Sequence, residues 1–379
     1  MTSNHRNAAT MTGNPPIARG DMIPSLTGVR AFAAFLVLTL HTSQNFPSSI
    51  SNLTIVHSGY LGVDLFFILS GFIITHVYAS DIASRNFKAF RIFLWHRFIR
   101  LFPAHAVVLI FLVILIAGAK SLNIRLSEPE SWDYSVLPWH FFMMHAWGTT
   151  NIAGWNAPSW SVSAEWFAYL IFPVSLAGAL SLPKRAVLPL AFFVLIFTAL
   201  IYHFQGWALG SAWIGIPALM RVTSEFLCGV LIYRASRIDS RGPSAIASDG
   251  LAFGSLIAFC LGTSFGLADV WLVLLLAVLI LGVSGPGPGV RALFGNRLVL
   301  WLGEISYSIY MVHFAVLLSL RHSSERILKN APLSFQFSQI AMFVIGLVTT
   351  VIAAAILYYA VEQPARRRLR NVFGLLGAR

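Results

Sequence analysis

Residues 30–41 read RAFAAFLVLTLH, an arginine, ten residues of which only Thr39 is polar, and then a histidine. With its flanks this apolar run extends over about 24–45, and about 20 mostly apolar residues are what an α-helix needs to cross a bilayer. Working outward, comparable runs occur at about 60–80, 101–119, 160–180, 186–204, 213–233, 250–267, 269–285, 301–320 and 338–361. The sequence therefore predicts an all-α, polytopic membrane bundle of about ten transmembrane helices. Residues 1–22 are polar, contain Pro15 and Pro16, and read as a flexible tail; 23–363 read as the membrane domain and 364–379 as a basic tail. No cleavable signal peptide is expected, because the first apolar run carries Arg30 and lacks a small-residue cleavage site.

Composition agrees. Of 379 residues, 57% are hydrophobic and 11% charged, with a mean hydropathy of +0.75. Soluble domains carry about 25% charged residues, so a soluble enzyme, a disordered chain and a secreted disulfide scaffold are excluded. The 30 Phe, 11 Trp and 10 Tyr suit a bilayer and its interfaces. The net charge of +12 has a membrane explanation. If the amino terminus is cytoplasmic, nineteen Lys and Arg fall on that side, five on the other, and Arg30 and Arg221 within spans. The positive-inside rule then predicts that both termini are cytoplasmic and removes the need for a nucleic-acid partner. Cys228 and Cys260 lie in apolar runs and form neither a disulfide framework nor a metal knuckle.

Two connections stand apart. Residues 85–100, RNFKAFRIFLWHRFIR, mix basic and aromatic side chains and are expected along the inner membrane surface. The stretch 120–159 is the longest external connection, and its apolar piece LPWHFFMMHAW is too short to span, so it reads as re-entrant or interfacial.

Ionisable groups within spans cost about 2.5–3.5 kcal/mol each and face an interior cavity by default. Here they are Arg30, His41, Asp64, His76, Glu165, Arg221, Glu225, Glu304 and His313. Arg221 and Glu225 stand at i,i+4 and read first as a structural ion pair. By depth, His41, Asp64, Glu165 and His313 are expected to converge in the outer half, and Arg30, Arg97, Arg100 and Glu304 in the inner half. His41 lies about 16 Å beyond Arg30 at about 1.5 Å per residue. Arginine forks suit a phosphate-bearing cytoplasmic donor, and a deeper histidine suits proton transfer. A proton-coupled transporter would use the same residue types, and spacing alone leaves both open. His76 and His105 read first as helix-bridging residues.

These residues belong to six ordered motifs: RAFAAFLVLTLH, GVDLFFILSGFIIT (62–75), RFIRLFP (97–103), WSVSAEWF (160–167), SYSIYMVHF (306–314) and VEQP (361–364). In that order, from about Ile23 to Pro364, they resemble the acyltransferase-3 family of integral membrane acyltransferases. The resemblance implies transfer of an acyl group, most often acetyl, from cytoplasmic acyl-CoA to a hydroxyl of a carbohydrate or lipid-linked glycan in or outside the bacterial inner membrane, with no metal. It implies that Arg30 and His41 are essential and that Arg97 and Arg100 serve the donor. Some relatives carry a soluble esterase-like domain after the membrane part. This sequence ends 15 residues after VEQP, so the membrane domain itself is expected to acylate the acceptor or pass it on.

On this reading His41 is the general base, with an acyl-histidine as a second route. Asp64 or Glu165 would orient its imidazole. Tyr310 and His313, at i,i+3, line the acceptor path or tie the ninth span to its neighbours. Ser161 and Ser163 lack a G-x-S-x-G elbow and read as packing residues, as do the glycines of LSGF; GVSGPGPG reads as a turn.

Overall fold

The computed structural model describes residues 23–124, 126, 128–211, 213–237, 243–330 and 335–370. The tail expected over 1–22, and residues 371–379 of the expected basic tail, lie outside the described residues. Ten long helices carry the apolar runs: α1 (Pro24–Asn45), α2 (Leu61–Ala83), α3 (Phe87–Ser121), α4 (Trp160–Ser181) and α5 (Lys184–Gln205). They continue with α6 (Gly215–Ser236), α7 (Ala245–Ser264), α8 (Asp269–Val283), α9 (Ser306–Asn330) and α10 (Phe335–Leu357). Eight helices among the described residues are long and apolar enough to cross a membrane, and two bent pairs bring the number of spans to as many as ten. This is an integral membrane protein.

The connections alternate between two ends of the bundle, and hydrogen bonds tie each end together. At the end holding Pro24, Trp95 Nε1 donates to Leu369 O (2.9 Å) and Arg234 Nη2 to Leu182 O (2.6 Å). At the other, Tyr60 OH donates to Asp269 Oδ1 (2.5 Å). The turn expected at GVSGPGPG is there: α8 meets Pro288–Phe294 at 108°, and the Asp249 carboxylate accepts from the backbone N–H groups of Gly289 (3.0 Å) and Val290 (2.9 Å). A second break, at 63°, separates Arg297–Glu304 from α9.

Helices α2 and α6 cross closely because each presents a glycine. A Cβ on Gly71 would collide with the carbonyl of Phe226, and one on Gly229 with that of Ile68. Small residues let backbones approach where lipid supplies no hydrophobic drive between helices.

One expected element is corrected. Residues 85–100 do not form a surface segment separate from a span at 101–119; Phe87–Ser121 is one helix of 35 residues. The Asn86 side chain caps it by accepting from Lys88 N (2.9 Å), and Pro103 is carried within it. Such a helix is about 52 Å long, well beyond the about 30 Å hydrocarbon core. Its basic first turns therefore extend past the core, with Arg85, Lys88 and Arg91 exposed.

Among its described residues the 120–159 connection contains no spanning helix. It folds into short turns around Leu137–Phe141 and His145–Trp147, docked by Ala146 N donating to Ser163 Oγ (3.0 Å) and Trp147 Nε1 to Ser163 O (2.8 Å). Its anchor is a stack of buried histidines: His140 on His145 at 4.0 Å between ring centroids, with His105 of α3 6.4 Å from His145. Nε2 of His105 donates to His140 O (2.7 Å), a bridging role in line with its expected one. Burial, and then the neighbouring imidazoles, push the His140 pKa down to about 3 and that of His145 well below the ordinary value.

The unfolded chain therefore binds protons at these residues from about pH 6.5 downward while the folded chain does not. Stability is expected to be full above pH 6.5 and to fall as pH drops toward 3. Thermal unfolding of the detergent-purified protein across that range checks it, and a His140→Phe/His145→Phe variant should flatten the decline.

Candidate active site

Arg30 of α1, Arg97 and Arg100 of α3 and Glu165 of α4 line one cavity within the bundle, together with Ser70, Tyr169, Tyr307 and Tyr310. Arg97 and Arg100 reach it together because i,i+3 residues share a helix face. The Arg97 guanidinium packs over the rings of Tyr78 (5.4 Å) and Tyr169 (5.9 Å), and its Nε is buried without a hydrogen-bond partner among the described residues. Glu165 Oε1 accepts from Ser70 Oγ and Tyr169 OH, each at 2.5 Å.

Arg100 packs over the Tyr307 ring (5.2 Å) and ion-pairs with Glu362. Glu362 also accepts from Ser308 Oγ (2.8 Å) and lies 3.6 Å from Arg366 Nη1. It is fully buried, carried inward by the π-helical turn Tyr358–Glu362 that follows α10. Arg30 has no ion-pair partner among the described residues. Three arginines thus line the cavity against a single lining carboxylate, Glu165.

Toward the opposite end, α1 presents His41 to His313 of α9, with ring centroids 5.0 Å apart. His41 Nδ1 lies 3.1 Å from Gln44 Oε1. An amide oxygen only accepts, so Nδ1 carries the proton and Nε2 keeps its lone pair. His313 Nδ1 donates to Tyr310 O (2.6 Å), and its Nε2 is buried without a partner among the described residues. Tyr310 links the two regions: it lines the arginine cavity, and its ring lies 5.6 Å from that of His313.

The expected groupings are met in part. His41 and His313 come together, and so do Arg30, Arg97 and Arg100. Glu165 lies with the arginines instead of the histidines. Glu304 is exposed at the end of Arg297–Glu304, and the buried carboxylate beside Arg100 is Glu362. Asp64 is turned toward α6, where it forms a two-pronged pair with Arg221, Nε to Oδ1 at 3.0 Å and Nη2 to Oδ2 at 2.5 Å. Glu225 stands 3.7 Å from Arg221 Nε, a looser contact than its i,i+4 spacing suggested. The arrangement expected of a triad acid, Asp64 or Glu165 bonded to His41, is therefore not what the side chains form; Gln44 occupies that position. Ser161 donates to Tyr310 OH (2.7 Å), and Ser163 accepts from the 120–159 connection, as packing residues do. His76 is buried against Tyr233.

Residues the sequence did not single out include Gln44, Tyr169, Tyr307 and Glu362. Tyr169 stands at i+4 from Glu165 and Gln44 at i+3 from His41, spacings that already imply contact. Among the described residues no group of three or more His, Cys, Asp or Glu is placed to hold a metal ion.

A helical membrane bundle with buried arginines at one depth and paired imidazoles at another is the setting in which the sequence comparisons fall. A family model described as an acyltransferase domain matches residues 23–359, so the chain belongs to the acyltransferase-3 family and is an integral membrane acyltransferase acting on an acyl donor. It is 27% identical over 386 residues to the acyltransferase MdmB of Streptomyces mycarofaciens, covering 92% of each chain. It is 26% identical over 370 residues to a putative peptidoglycan O-acetyltransferase of Bacillus subtilis, YrhL, and 23% identical over 372 residues to a putative O-acetyltransferase of Staphylococcus aureus. In both cases 91% of this chain is matched, but only 55% and 57% of the relative's length. No solved structure matches. Membership in an acyltransferase family sets aside the transporter without acyl transfer.

Removing the Asp64 charge leaves the buried Arg221 guanidinium with only the looser Glu225 contact at 3.7 Å, a loss of about 3 kcal/mol, the lower end of the range for a broken buried pair. Asp64→Asn is expected to lower the unfolding free energy by that order, and Asp64→Asn with Arg221→Met to recover most of it. Denaturant unfolding in detergent measures both.

Proposed function

We propose that this protein is an O-acyltransferase of the bacterial inner membrane, with both termini cytoplasmic. It moves an acyl group, acetyl in the first instance, from cytoplasmic acyl-CoA to a hydroxyl of an exported or lipid-linked glycan. The observation that carries the reading is the excess of guanidinium groups in the cavity. Arg100 is paired with Glu362 behind the cavity wall, whereas Arg30 has no ion-pair partner and Arg97 Nε no hydrogen-bond partner among the described residues, so an anion is the missing counter-charge. The phosphates of CoA supply that charge, and guanidinium forks bind them in a fixed geometry. Helix α1 runs from Arg30 in this cavity to His41, about 16 Å along its axis, a path for the extended pantetheine arm.

In this scheme His41 Nε2 removes the proton of the acceptor hydroxyl as its oxygen attacks the thioester carbonyl. The C–S bond then breaks, the imidazolium returns the proton to the departing sulfur, and the products are the acyl ester and CoA. Gln44 holds the required tautomer by accepting from Nδ1, and His313 and Tyr310 line the approach of the acceptor. Glu165 keeps Tyr169 and Ser70 in place beside Arg97. Asp64 serves the assembly through Arg221.

His41→Ala is expected to lower acyl transfer by at least about 100-fold, the order that general-base loss produces, while the protein stays inserted and monodisperse. Transfer of labelled acetyl from acetyl-CoA to a base-labile ester in an envelope glycan fraction measures it, and unchanged transfer would overturn the role of His41. Arg97→Ala combined with Arg100→Ala should raise the donor KM at least tenfold more than the acceptor KM. Equal effects on both would remove the arginines from donor binding.

A further inference from the structure

A second cavity, of about 540 Å³, lies at the end of the bundle where the 120–159 connection docks. Trp132, Trp213, Phe314, Glu128, Glu130 and Asn151 are among the residues that line it. No Lys or Arg does. We infer that this cleft holds a neutral pyranose of the acceptor, with the Trp213 indole against a sugar face and the glutamates accepting from its hydroxyls. The inference rests on the acyl-transfer reading above and adds to it the site and charge class of the acceptor.

The cleft is built before any ligand arrives. Trp132 is packed edge-on against Trp155 (5.8 Å between centroids) and lies 6.3 Å from Phe314. Trp155 is itself fixed: its backbone N donates to Ser131 O (2.9 Å) and its Nε1 to Asp133 O (2.8 Å). Trp213 is 43% exposed, a large aromatic surface left open at the mouth. Glu130 is exposed with no ion-pair partner among the described residues, so its carboxylate is free to accept. Between two residues of the cleft wall, Asn156 is fully buried with Oδ1 lacking a partner among the described residues, while its Nδ2 donates to Met311 O (3.1 Å).

The same turn of α9 joins this cleft to the site already described. Phe314 lines the cleft, His313 before it faces His41, and Tyr310 lines the arginine cavity while donating to Pro158 O (2.8 Å). A sugar held against Phe314 is therefore separated from the two imidazoles by a single element. Apolar walls with a few placed polar groups orient a ligand of this size. Two lining carboxylates, with no lining cation among the described residues, disfavour a uronate or a phosphorylated sugar and favour a neutral ring as the ligand.

The test uses the full chain in nanodiscs, with chitotetraose and maltotetraose as neutral probes and tetragalacturonate as the anionic one. At least one neutral probe should bind at millimolar concentration or below by saturation-transfer NMR, and tetragalacturonate should not. Trp213→Ala should weaken that binding about tenfold and Trp213→Phe should restore it; Glu130→Gln provides a second variant at a surface position. In acetyl transfer to the bound probe, Trp213→Ala should raise the acceptor KM about tenfold and leave the donor KM unchanged. Neutral probes that fail to bind, or a Trp213→Ala acceptor KM equal to wild type in an active enzyme, would overturn the cleft and leave the transferase reading standing. Trp213-dependent binding in a protein that transfers no acetyl from acetyl-CoA would overturn the proposed acetyl-CoA-to-glycan transfer, and the acceptor role of the cleft with it.

Discussion

A guanidinium cannot be solvated by hydrocarbon, and every arginine inside this bundle has been given either a counter-charge or a cavity. Arg221 has the first. Both oxygens of Asp64, the carbonyl of Leu209 at 2.8 Å and the face of Trp160 at 5.3 Å account for its charge and most of its donors. That pair ties α2 to α6, two helices whose glycines allow close approach. Arg30, Arg97 and Arg100 have the second, Arg100 with Glu362 as a counter-charge besides. They share one lining carboxylate and the aromatic faces of three tyrosines, which stabilise a cation without neutralising it.

This difference separates assembly from function within one residue type. A paired charge is finished; it resists change because removing either partner strands the other. An under-paired cluster keeps affinity for an anion that the protein does not itself contain. Tyr78, Tyr169 and Tyr307 pack against the guanidinium groups, and Glu362, brought inward by a π-helical turn, pairs with Arg100. Such turns interrupt the regular helix ladder and are frequent at functional sites because they re-aim a side chain.

The two histidines occupy a different regime. Each uses Nδ1 on a local acceptor within its own helix, Gln44 for His41 and the Tyr310 carbonyl for His313. Both Nε2 atoms are thereby left as acceptors. The chain needs no distant carboxylate to set the tautomer, which is why Asp64 and Glu165 are available for other tasks. Tyr310 then couples the imidazoles to the arginine cavity on one side and, through Pro158, to the docked connection on the other.

The number and positions of the helices were legible in the sequence because the bilayer imposes a length and a polarity on each span, and both are local properties of consecutive residues. Helix α1 runs over Pro24–Asn45, the same bounds as the apolar run. The alignment of Arg97 with Arg100 and of Tyr310 with His313 was readable for a similar reason, since helical spacing fixes who shares a face. The continuity of Phe87–Ser121 was not, because a basic, aromatic stretch reads as interfacial until the helix is seen to carry its arginines on into a cavity. Partnership between helices was equally hidden. Asp64 lies 157 residues from Arg221 in sequence, and nothing in the neighbourhood of either shows that the two will meet. Depth alone placed Asp64 and Glu165 beside His41, whereas rotation of α2 and α4 about their axes turned one toward α6 and the other toward the arginines. The sequence by itself determined a membrane bundle and the residue types its interior must accommodate; the tertiary structure decided which charges cancel and which stay available, because charges cancel through contacts between helices that no local spacing encodes.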